Sequence, residues 1–113
     1  MSDYKEQMNK RTMDFALRVL RLYSALKHSE EGRIVAKQLF RSATSIGANY
    51  REACHSRSTQ EFASKLKICE SEAAESAYWL EFIAKSGMMP ASKINTLLNE
   101  ADQLTAIFTA SNK

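Results

Sequence analysis

The chain is poor in the residues that make turns. Its 113 residues include three glycines and one proline. A β-rich fold of four or more hairpins needs more of both, because tight turns draw on their special backbone angles. Cysteine is scarce too. Cys54 and Cys69 are the only two, and they lack the C-x-x-C spacing of a zinc site, so small buried thiols in a reduced protein are expected. There is no signal peptide and no apolar run of about 18 residues, which points to a cytoplasmic chain with no membrane partner. The two histidines, His28 and His55, fall at segment ends. Neither follows a glutamate at the Glu-x-x-His spacing of a di-iron bundle. No metal or other cofactor is expected. A Gly-rich phosphate loop, a nucleophile elbow and a triad spacing are all missing. A non-enzyme without a small-molecule substrate follows.

What is present is helical. The chain is 44% hydrophobic and 26% charged, the profile of one globular domain over residues 1–113. Its few breakers mark out four helices at about 3–27, 31–55, 59–85 and 90–110. Ser29 suits an N-cap, Ser58 with Glu61 has capping-box spacing, Gly87 fits a left-handed C-terminal cap and Pro90 a first turn. At about 100° per residue the apolar positions fall on single faces. These are Met8, Phe15, Val19, Leu22 and Leu26; then Leu39, Ala43, Ile46 and Tyr50; then Phe62, Leu66, Cys69, Ala73, Ala77 and Leu80; then Ile94, Leu97, Leu98, Ala101, Leu104 and Phe108. Four amphipathic helices with short connections predict an all-α, antiparallel up-down four-helix bundle.

One stretch of the second helix, RSATSIGANYREA at residues 41–53, breaks the usual preferences. Ser42, Ser45, Gly47 and Asn49 are poor interior helix residues. Gln38, Arg41, Ser45, Asn49 and Glu52 nevertheless fall within about 80° of one another. They form an ordered polar stripe that expects a partner, and Gly47 marks a kink or a close approach.

Surplus apolar residues appear elsewhere. Met13, Leu17 and Leu20 point away from the Phe15 face. Ile68, Trp79, Phe82 and Ile83 flank the core face of the third helix. Patches of this kind predict a homo-oligomer interface. Charge is also uneven. The net charge is +3, but residues 1–57 hold 11 Lys/Arg against 6 Asp/Glu, and residues 58–113 hold 5 against 7. Lys10, Arg11, Arg18 and Arg21 cluster on the first helix, and Arg33, Lys37 and Arg51 on the second. Repeated around an oligomer, they would give salt-sensitive, sequence-independent binding to RNA or DNA.

RSATSIGANYREA, followed by KLKICESEAAESAYWLEFIAKSG, resembles the four-helix-bundle family of 23S rRNA intervening-sequence proteins. That family carries Arg-x-x-x-Ser-Ile-(Pro/Gly)-Ala-Asn followed by Glu and a small residue, here Arg41, Ser45, Ile46, Gly47, Ala48, Asn49, Glu52 and Ala53. A later helix carries spaced glutamates before Tyr-Trp-Leu-Glu, here Glu72, Glu75, Tyr78, Trp79, Leu80 and Glu81. The resemblance covers almost the whole chain. It implies a homo-oligomer, with relatives forming five-subunit barrels, and a relation to the accessory variability determinant of diversity-generating retroelements. That protein is a basic pentamer that binds nucleic acid and partners a reverse transcriptase. No catalytic residues come with it. Arg41, Ser45, Asn49 and Glu52 are expected to meet Glu72, Glu75 and Trp79, within or between subunits. The expected function is an oligomeric accessory scaffold that binds nucleic acid or a nucleic-acid enzyme. The alternative is a protein-protein adaptor without nucleic-acid binding.

Overall fold

Capping chemistry sets where the helices begin and end. The computed structural model describes residues 3–111, and among them four α-helices make up a bundle: α1 Asp3–Leu26, α2 Glu30–Cys54, α3 Thr59–Ser86 and α4 Asn95–Ser111. The Ser29 hydroxyl accepts the backbone N–H of Gly32 at 3.0 Å and opens α2. Ser58 does the same for Glu61 at 3.0 Å and opens α3. The returning bond of the box is displaced by one residue, because the Glu61 carboxylate accepts from the N–H of Arg57. Gly87 closes α3 at φ 80°, a left-handed conformation that only glycine adopts without strain.

The fourth helix starts later than the sequence predicts. Pro90 stands in extended backbone at ψ 139°, ahead of a short 3₁₀ turn over Ala91–Lys93, and α4 begins at Asn95. Proline fixes φ but supplies no N–H, so the chain turns here before it winds. Ile94, placed in the fourth helix by periodicity, is fully buried one residue before it.

Cross-helix pairs give the topology. Thr12 approaches Gly47 and Tyr23 meets Phe40, so α1 and α2 run in opposite directions. Arg41 pairs with Glu72 while Glu52 pairs with Lys65, so α2 and α3 do the same. Arg11 pairs with Glu100 and Arg18 reaches Thr96, which sets α1 antiparallel to α4. Each helix packs on its neighbours in sequence. The α1–α4 seam is the thinnest of the four, and α1 and α3 stand on diagonal corners.

The core contains Met8, Phe15, Val19, Leu22 and Leu26 of α1, and Leu39, Ala43, Ile46 and Tyr50 of α2. From α3 and α4 come Leu66, Cys69, Ala73, Leu80, Leu97, Ala101, Leu104 and Phe108. Phe62, Ala77 and Leu98 pack against it half-buried. Ile83 departs from expectation. Read as part of a surface patch, it is completely buried, because its angular position lies between those of Ser76 and Leu80 on the inward side.

Candidate interaction surfaces

The polar stripe of α2 faces α3. The Arg41 guanidinium donates to both oxygens of Glu72, at 3.3 and 3.2 Å, and to Glu75 at 2.7 Å. Ser45 donates to Glu72 at 3.3 Å, and the Asn49 amide donates back to the carbonyl and hydroxyl of Ser45. The indole N–H of Trp79 donates to Glu75 at 3.2 Å. Six of the seven expected residues therefore form one network within a single chain. Glu52 does not join it. It lies further along the helix and pairs with Lys65 at 2.7 Å.

Electrostatics follow the geometry. Hydrogen bonds from Glu72 and Glu75 raise the Arg41 pKa beyond its already high value. Partial burial pushes the Glu75 carboxyl up, but the bonds from Arg41 and Trp79 outweigh it and hold the group below its ordinary value. Beneath this network lies a bond that the sequence does not announce. Ser42 and Ser76 are both fully buried, their hydroxyls 2.8 Å apart. Gly47 belongs to the opposite face of α2. A Cβ there would stand 3.1 Å from the Thr12 hydroxyl, and α2 continues unbroken through it. The glycine marks a close approach.

The seven cations expected to meet nucleic acid divide between two places. Lys10, Arg11, Arg18 and Arg21 line a depression of about 540 Å³ on the α1–α4 seam. Two are already engaged. Lys10 pairs with Asp14 at 2.6 Å, and Arg11 grips Glu100 with two bonds of 2.7 and 2.9 Å and reaches Gln103. That grip raises the Arg11 pKa. A second depression of about 360 Å³ continues the seam and adds Lys93 to Arg18 and Arg21. Lys93 was missed because a lone lysine beside proline carries no periodic signal. Arg33, Lys37 and Arg51 are exposed on α2, away from this seam.

The apolar residues also separate. Met13, Leu17 and Leu20 form an exposed ridge on α1. On α3, Tyr78, Trp79 and Phe82 make an aromatic edge with Tyr78–Trp79 and Trp79–Phe82 centroids 5.1 and 5.9 Å apart, while Ile68 is exposed further along the same helix. Trp79 itself is half-buried.

Nucleophilic and metal chemistry finds little to use. Burial pushes the Cys69 thiol up to about 12, which keeps it protonated and inert. Burial likewise raises the Tyr50 phenol. Among the described residues no three His, Cys, Asp or Glu side chains gather where a metal ion would bind. No helix among them is long and apolar enough to cross a membrane.

These features define a small four-helix bundle whose chemistry lies in surfaces rather than in a pocket. The chain belongs to the 23S rRNA-intervening sequence protein family, whose model it matches over residues 5–110. It is similar to a crystal structure from Bacteroides thetaiotaomicron VPI-5482, a protein of unknown function from the S23 ribosomal protein family. The two share 31% sequence identity and a TM-score of 0.87, over 93% of this chain and 97% of that one. Comparison with proteins of curated function finds no match. Neither the family nor the structural relative is described as an enzyme.

Proposed function

We propose that this chain is a non-enzymatic, self-associating scaffold that holds the phosphate backbone of RNA or DNA on its α1–α4 seam, as an accessory to a nucleic-acid enzyme such as a reverse transcriptase. One observation carries the reading. Arg18, Arg21 and Lys93 surround a shared depression, and none has a carboxylate partner among the described residues. Cations left uncompensated beside a furrow attract polyanions, and releasing the counterions condensed on a nucleic acid drives the association. Copies of the chain in an oligomer would repeat the patch and add its field. Two unpaired thiols suit a reducing, cytoplasmic setting.

The test is a titration of labelled RNA and duplex DNA across a series of salt concentrations. Micromolar binding that weakens steeply with salt is expected, without sequence preference. The triple variant Arg18→Ala, Arg21→Ala, Lys93→Ala should lower the slope of log affinity against log salt by about 3, roughly one unit per lost phosphate contact. An unchanged slope removes the seam from the interface. No binding at low salt favours the second reading, a protein-protein adaptor, which the exposed α3 aromatic edge supports.

A further inference from the structure

Beside the α1 ridge, between α1 and α2, lies a groove of about 420 Å³. Its lining includes the small residues Ala16, Gly47 and Ala48, and Met13 and Arg51 stand beside them. Small side chains leave room for large ones. The groove has one unmet polar demand, since Oδ1 of Asn9 is buried and accepts no hydrogen bond. A buried acceptor without a donor is costly, and a matching donor from outside relieves it.

The α3 aromatic edge offers the complement. Tyr78 and Phe82 are 57% and 40% exposed, a large apolar area for a soluble surface. The Tyr78 hydroxyl has no hydrogen-bond partner among the described residues. Glu75 and Glu81 flank this edge, while Arg51 beside the groove has no carboxylate partner among those residues. The basic half of the sequence contributes the groove and the acidic half contributes the edge.

We propose that the Tyr78–Phe82 edge of one copy seats in the α1–α2 groove of a second copy, against its Met13–Leu17–Leu20 ridge. The two surfaces differ and stand on diagonal helices, so the contact is head-to-tail and not two-fold symmetric. A ridge-to-ridge dimer would leave both aromatic edges in water. The head-to-tail contact covers both kinds of patch in every copy except those at an open end. It rests on the self-association in the proposed function and specifies which surface meets which.

Two double variants test it by light scattering, each checked for helicity by circular dichroism. Met13→Lys/Leu17→Lys spoils the ridge, and Tyr78→Lys/Phe82→Lys spoils the edge. All four positions are exposed, so the fold survives. The wild-type chain should be oligomeric and each variant alone monomeric. An equal mixture should give a species of two chains and no larger, because only one good interface can form between the two variants. If either variant keeps the wild-type mass, or the mixture stays monomeric, the pairing is wrong while self-association stands. A monomeric wild type overturns self-association itself, and the pairing with it.

Discussion

Ser42 donates its proton to the carbonyl of Leu39 at 3.0 Å, so its oxygen is left to accept from Ser76 across the α2–α3 contact. A hydroxyl sealed in an apolar core needs that partner, since desolvation without a hydrogen bond costs more than the bond returns. Ser42→Ala strands the Ser76 proton and should destabilise the fold by about 1–2 kcal/mol in urea denaturation. Ser42→Ala with Ser76→Ala removes both polar groups and should cost clearly less than the two single changes summed. Additive costs would mean that the hydroxyls do not depend on each other. The close approach of Thr12 to Gly47 works at the same scale without polarity. The Thr12 hydroxyl is pinned to the carbonyls of Met8 and Asn9, so it cannot easily yield to a larger residue at position 47.

At the scale of the helix, α2 and α3 are fastened on their outer side by Arg41, Glu72 and Glu75. The depressed Glu75 carboxyl makes this fastening dependent on pH. Its contribution is complete above the ordinary value of 4.5 and is lost as pH falls through the lower folded value. Denaturation midpoints measured over a pH series should therefore drop in acid, and Glu75→Gln should flatten part of that drop. The effect is modest, because the Arg41 side chain is half exposed and solvent screens the pair. The helices and their inward faces were legible in the sequence because caps and a 3.6-residue period are local signals. The stripe was legible because short polar residues recurred at helical spacing. Ser76 was not, since a serine between Glu75 and Ala77 has the local appearance of a surface position. Glu52 was assigned to the wrong partner for a related reason. Phase shows which side a residue takes, but the choice between Arg41 and Lys65 depends on how far along the neighbouring helix each one sits. The start of α4 escaped because proline suits a helical first turn and the extended residue before one equally well.

Taken whole, the bundle joins each helix to the next through a short connection, and only the α1–α4 seam brings together distant parts of the chain. Arg11, Glu100 and Gln103 are the main polar ties across it. That thin seam has a consequence in time. Contacts between sequence neighbours close small loops and form early, so chains of this topology reach the native state within microseconds to milliseconds. Bringing α4 back to α1 closes the longest loop for a small return, and belongs late in the sequence of events. Glu100→Gln should therefore speed unfolding and leave the folding rate almost unchanged, giving a chevron shifted on its unfolding limb alone. A slowed folding limb would put the seam in the nucleus. The furrow of Arg18, Arg21 and Lys93 would then be the last surface the molecule completes and the first it gives up, so its cations gather only once the rest of the chain has found its place.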